Sequence, residues 1–162
     1  MLQEDYEDSY NMKKTLTALT VLASVLAITQ VPAMAGGTGN NTLGPSVRLG
    51  NGNSIFSIDG KFGIANNLSL RPYVAFPSGA TNFGTSLTYD FDLRRTPVTP
   101  FIGAGIDIGT SNIAGASNST TGFAQVGADF NLTRDFALLG SVNIPFSSGG
   151  GTNVTLGAGL RF

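Results

Sequence analysis

TLGAGLRF, Thr155–Phe162, is the stretch that decides how the rest of the chain is read. Val154, Leu156, Ala158, Leu160 and Phe162 are apolar, while Asn153, Thr155, Gly157, Gly159 and Arg161 between them are polar or lack a side chain. A period of two belongs to a strand with one apolar and one wet face. Read as the last strand of the chain, it is expected to pair with an earlier one. Closing a barrel onto the first strand achieves this and leaves no open edge.

The composition narrows the class. Charged residues are 12% of the chain and Gly fills 22 of 162 positions, yet 41% is hydrophobic. A soluble domain usually carries about twice that charged fraction. Cys and His are both absent, which removes disulfides, thiolate or imidazole metal sites, and Cys/His or Ser/His catalysis. No cofactor is expected, and no long basic run or helix points to nucleic acid.

The N-terminal residues read as an address. Lys13 and Lys14 after Met12 form a positive n-region, Leu16–Val31 is an apolar core, and Ala33-Met34-Ala35 offers small residues for cleavage before Gly36. Residues 12–35 are therefore expected to be a signal peptide. The alternative, an uncleaved membrane helix, needs a run nearer ~20 residues. No Cys follows to carry a lipid anchor. Residues 1–11 hold Glu4, Asp5, Glu7 and Asp8, the wrong charge for an n-region, and are expected to be an extension from a misplaced start. Residues 36–42 (GGTGNNT) read as a flexible lead-in, and 43–162 as the folded domain.

That domain contains eight alternating runs: Leu43–Gly50, Ser54–Ile64, Leu68–Phe76, Asn82–Asp92, Val98–Gly109, Gly122–Phe130, Phe136–Phe146 and Thr152–Phe162. Most are about the 9–11 residues that a tilted strand needs to cross a bilayer core. The connections after the second, fourth and sixth runs are tight and hold charge: Ala65-Asn66-Asn67, Leu93–Pro97 with Arg94 and Arg95, and Asn131–Asp135 with Arg134. The others, including the longest at Thr110–Thr121, are rich in Gly, Ser, Asn and Thr. An even strand number with short turns at one end and longer loops at the other is the arrangement of outer-membrane barrels. Phe62–Pro77 also aligns without gaps on Phe130–Pro145. Duplication of a four-strand half and shared hairpin constraints explain this echo equally well.

The phase of each strand assigns its faces. The apolar parity holds residues such as Val47, Phe56, Ile58, Leu70, Leu87, Ile102, Ile106, Val126, Leu138 and Leu156. The opposite parity holds Arg48, Asp59, Lys61, Arg71, Asp90, Asp92, Asp107, Asp129 and Arg161. Charges free to choose would segregate this completely about once in a few hundred trials. A lipid-facing Arg or Lys at the bilayer midplane costs about 2–4 kcal/mol, which accounts for the segregation. A soluble lipocalin-like barrel binding a hydrophobic ligand also alternates, with its apolar face inward. Two features favour the membrane. The polar face is mostly Gly, Ser, Thr and Asn rather than Lys and Glu, as suits a narrow lumen. The aromatics gather at strand ends: Phe56, Phe76, Phe83 and Phe146 at one, Phe62, Tyr89, Phe91, Phe130, Phe136 and Phe162 at the other.

With these features the chain resembles the small eight-stranded outer-membrane barrels of the OmpA/OmpX type. The resemblance covers the signal peptide and all of Gly36–Phe162. It rests chiefly on Thr155, Gly157, Leu160 and Phe162, which match the terminal pattern read by the barrel-assembly machinery, and on Pro100-Phe101-Ile102-Gly103-Ala104-Gly105. It implies an all-β, antiparallel, eight-stranded transmembrane up-and-down barrel in the outer membrane of a Gram-negative cell envelope. It further implies contact with outer-membrane lipid, assembly through the C-terminal strand, and a monomer. The family's larger members carry a periplasmic domain after the barrel, and none is expected after Phe162 here.

An eight-stranded lumen is about wide enough to be filled by its own side chains. The charges named above, with Tyr73, Phe101, Phe123 and Gln125 as bulk, are expected to form a salt-bridged plug. The competing expectation is a narrow porin-like path for small polar solutes, widened by Gly63, Gly103, Gly105, Gly127, Gly157 and Gly159. Barrel enzymes of the lipid A palmitoyltransferase or phospholipase types depend on His, so no enzyme is expected. An adhesin would need longer displayed loops.

Overall fold

The computed structural model describes residues 41–93, 96–111, 118–147 and 150–162. All of them belong to the compact unit Ala35–Phe162. The expected signal peptide and N-terminal extension, most of the expected lead-in, Arg94, Arg95 and much of the Thr110–Thr121 stretch lie outside the described residues.

Eight strands follow in order: β1 Thr42–Gly50, β2 Asn53–Ala65, β3 Leu68–Ala75, β4 Ala80–Asp90, β5 Val98–Ser111, β6 Ser119–Asn131, β7 Phe136–Pro145 and β8 Asn153–Arg161. Each lies within 3 residues of the bounds read from the alternation. Neighbours pair antiparallel all the way round, and the opening stretch closes the ring: Leu43 faces Leu160, Ser46 faces Gly157 and Arg48 faces Thr155 across the β1–β8 seam. Closure leaves no edge strand unpaired, so every ladder hydrogen bond is internal.

Turn chemistry sets the hairpins. Between β1 and β2, Asn51 and Gly52 both take positive φ, at 51° and 75°, which is the twist-matching two-residue turn that Asn-Gly favours. Asn67 provides the same freedom at φ 61° between β2 and β3. The β2–β3, β4–β5 and β6–β7 connections and both ends of the described barrel lie together at what is termed the turn end; the opposite end is the loop end.

The barrel is inverted relative to a soluble domain. Leu87, Ile102, Ile106, Val126, Leu156 and Leu160 are exposed on the outer wall, and Ser57, Ser86, Thr88, Asp90 and Thr155 are buried inside. Phe56, Phe76 and Phe146 ring the loop end; Tyr89, Phe91, Phe130, Phe136 and Phe162 ring the turn end, all exposed. Phe62 departs from that picture and is buried. Its ring lies over Gly60, where a Cβ would sit 2.9 Å from Cε2, and meets the edge of Phe162 at 6.3 Å. A glycine on the outer wall thus gives the ring a seat against the sheet.

Candidate functional site

The lumen is the only place where the chain's chemistry converges among the described residues. In its turn-end half, Lys61 Nζ lies 2.8 Å from both Asp90 and Asp129. Arg71 Nη2 lies 3.2 Å from Asp90 and 2.8 Å from Asp129, and its Nη1 donates to Asp129 at 3.0 Å. Lys61 on β2 and Asp129 on β6 stand four strands apart in a ring of eight, so their bond crosses the full bore. Ser69 donates to Asp90 at 2.6 Å, Arg71 Nε donates to Thr88 at 3.0 Å, and the guanidinium stacks 3.5 Å over the Phe101 ring. Two cations and two carboxylates, all buried, cancel in charge. Burial of such a group is tolerable only when its hydrogen-bonding positions are filled in this way.

The loop-end half is built differently. Arg48 Nη2 pairs with Asp59 at 2.6 Å, Arg48 Nε donates to Ser57 at 3.2 Å, and Ser46 also donates to Asp59. The same guanidinium lies 3.4 Å over the Tyr73 ring, and the Tyr73 hydroxyl donates to Asp107. Among the described residues Asp107 has no cation within ion-pair reach. Above this layer lies a cleft of about 120 Å³ lined by Arg48, Asp107, Asn51, Asn82 and Asn153. Between the two halves a cavity of about 20 Å³ touches Asp59, Lys61, Arg71, Gln125 and Ser141, enough for roughly one water.

Of the nine charges assigned to the lumen face, the structure brings six into ion pairs: Arg48 with Asp59, and Lys61 and Arg71 with Asp90 and Asp129. Asp107 joins through Tyr73. Arg161 lies at the rim, donating to the Thr133 carbonyl at 2.8 Å. Asp92 is a correction. The β4–β5 ladder ends at Asp90 opposite Phe101; Phe91 still donates to the Pro100 carbonyl, but Pro100 has no N–H to return the bond. Asp92 is therefore left exposed outside the strand.

Two of the glycines read as widening the path, Gly105 and Gly127, lie beneath aromatic rings. Gly127 faces Phe101, Gly105 faces Phe123 and Gly84 faces Tyr73 across neighbouring strands. A Cβ would come within 2.6 Å of Phe101 Cζ at Gly127 and 2.7 Å of Phe123 Cζ at Gly105. Each ring lies over its glycine on the lumen side. The alternation also gave no place to Leu139, which lines the inner cavity, or to Ile55, which packs with Tyr73, Ala75 and Phe123. Both sit on the minority apolar positions of the polar parity, and that exception was the available signal.

Thr155 and Gly157 of the terminal pattern face inward at the seam, where a Cβ at Gly157 would meet Ser46 Cβ at 2.7 Å. Leu160 and Phe162 face outward and are exposed. An apolar calyx of the lipocalin type would need the apolar parity inside; here it faces out, and the interior is charged.

The fold is that of the eight-stranded transmembrane barrels. No family model matches the chain, and no curated protein sequence matches it. Solved structures do. A de novo designed transmembrane β-barrel matches with a TM-score of 0.63 at 14% identity, over 76% of this chain and 96% of that one. The N-terminal β-barrel domain of Pseudomonas aeruginosa OprF matches at 0.60 and 14% identity, over 78% and 99%. The Yersinia pestis outer membrane protein Ail, in a phospholipid bilayer nanodisc, matches at 0.55 and 13%, over 76% and 99%. Designed and natural barrels alike share this architecture, so it carries no activity with it.

Proposed function

We propose that the protein is an integral outer-membrane β-barrel, exported by its signal peptide, whose role is structural and whose lumen is closed to ions. The inversion of burial carries the membrane reading: aliphatic side chains around mid-strand, such as Leu87, Ile102, Ile106 and Leu156, are about half exposed while Asp90 is fully enclosed. Water would penalise that outer wall at roughly 25 cal/mol per Å² of apolar surface, and lipid does not. The transverse Lys61–Asp129 bond, with Arg71 and Phe101 beside it, supports closure over a porin-like path. The lipid bilayer is the main partner in this reading. Insertion proceeds through the assembly machinery by way of Thr155, Gly157, Leu160 and Phe162, and the barrel acts as a non-enzymatic monomer.

Planar-bilayer recordings on pure refolded protein test the closed lumen. No unitary current steps are expected; reproducible steps would replace closure with the narrow-pore reading. Cell fractionation tests the membrane. Recovery in the detergent-extracted envelope is expected, and release into the soluble periplasm without detergent would overturn it.

A further inference from the structure

The cleft at the loop end has a chemistry of its own, separate from the plug beneath it. Its floor presents two opposite charges that do not pair with each other. Arg48 uses Nε on Ser57 and Nη2 on Asp59, leaving Nη1 uncommitted among these bonds. Among the described residues Asp107 accepts from the Tyr73 hydroxyl, and no cation lies within ion-pair reach of it. The Tyr73 ring holds the two apart, with the guanidinium 3.4 Å from its centroid and the carboxylate on its hydroxyl. Amide side chains of Asn51, Asn82 and Asn153 complete a wall of donors and acceptors around about 120 Å³. Asn153 is itself fixed by Asn143, whose Nδ2 donates to its Oδ1 at 3.0 Å.

We propose that this cleft binds a small zwitterion of the α-amino-acid type, its carboxylate on Arg48 and its ammonium on Asp107. The charge arrangement selects the class. A bare anion drawn to Arg48 meets the carboxylates of both Asp59 and Asp107, and a bare cation drawn to Asp107 leaves Nη1 of Arg48 without an acceptor from the ligand. Only a ligand carrying both ends a few ångströms apart satisfies both partially desolvated groups, and charge-assisted hydrogen bonds are the strong ones in such a site. Three asparagines around the mouth each carry an amide oxygen to accept from the ammonium and an NH2 to donate to the carboxylate. The volume sets the size: several waters fit, so glycine and alanine enter and an indole side chain does not. Ile55 and Ala75 supply the apolar part of the wall, suited to a short aliphatic side chain.

The inference does not depend on membrane insertion, only on the folded barrel. The test is a heteronuclear NMR titration of the folded full chain in detergent micelles with glycine, alanine, tryptophan, ethylammonium and acetate. Glycine and alanine are expected to shift the amides of Gly50, Asn82, Asp107 and Asn153 saturably, while those of Ser69, Asp90 and Asp129 stay in place. Ethylammonium, acetate and tryptophan are expected to bind at least about tenfold more weakly, the equivalent of about 1.4 kcal/mol. Asp107→Asn keeps the acceptor for Tyr73 and removes the charge, so it is expected to weaken glycine by a similar factor. An unchanged NMR spectrum outside the cleft shows that the variant is folded. Absence of saturable shifts with glycine and alanine would overturn the proposal. So would ethylammonium binding as tightly as alanine, which marks a plain cation site, or acetate doing so, which marks an anion site.

Discussion

The two halves of the lumen use the same residue types to opposite ends. Toward the turns, Lys61 and Arg71 face Asp90 and Asp129 in equal number, with side-chain exposures of 0–8%. Toward the loops, Arg48 faces Asp59 and Asp107, one cation against two carboxylates, beneath a cleft of about 120 Å³. A carboxylate without a counter-ion survives where water reaches it; the same group without a counter-ion among dry neighbours does not. Charge balance therefore tracks depth along the bore. In the proposed closed lumen, the turn-end half supplies the closure and the loop-end half the access.

The largest effect is expected from breaking that balance in the more buried, turn-end half. Arg71→Ala leaves Asp90 and Asp129 to share Lys61 alone, and removes the cation above Phe101. Leaving a buried charge uncompensated costs about 3–5 kcal/mol, read as a lower urea midpoint of the folded barrel in lipid vesicles. Replacing Lys61, Arg71, Asp90 and Asp129 together with apolar residues of matched volume should cost less than Arg71→Ala alone. A larger loss for the quadruple change would mean that the ion pairs themselves supply net stability. Gly127→Ala comes next, at about 1–3 kcal/mol, because its Cβ would strike the Gly140 carbonyl as well as Phe101. Gly84→Ala drives its Cβ onto three atoms of the Tyr73 ring and hydroxyl, and moving that ring disturbs its contacts with Arg48 and Asp107, so a loss of the same order is expected. Gly140→Ala, whose Cβ finds nothing nearer than 3.7 Å, is the control and should stay within ~0.5 kcal/mol.

How much of this was legible in the sequence follows from what a period of two can encode. Parity alone separates Ile106 from Asp107 and Leu70 from Arg71, so the eight strands and both faces could be read from local pattern. Which base meets which acid could not. Lys61 reaches Asp129 across 68 residues because the ring closes on eight strands with a particular stagger, and stagger is a property of the assembled sheet. Turn ends were blurred for a similar reason. Asp92 keeps the parity of Asp90, and only the missing N–H of Pro100 on the neighbouring strand ends the ladder before it. The lumen glycines left two readings open because a glycine in a sequence says that a side chain is absent and not what occupies its place. The aromatic partner lies on the adjacent strand at a register that only the barrel fixes.

The smallest effect is the sharpest test of the contrast, because it uses one substitution at two depths. Asp129→Asn leaves both Lys61 and Arg71 with a single carboxylate, Asp90, in the turn-end half. The loss should be about 3 kcal/mol, the lower end for a broken buried pair. Asp107→Asn keeps an oxygen to accept from Tyr73 and removes a charge that the cleft already lets water reach. Its effect on the urea midpoint should fall within about 0.5 kcal/mol. Salt separates the two further. Near 1 M the screening length is about 3 Å, so whatever difference Asp107→Asn makes at low salt should vanish, while that of Asp129→Asn persists where ions do not enter. Equal losses at the two positions, or a salt-sensitive loss at Asp129, would show that water reaches both halves alike and that the bore is open along its length.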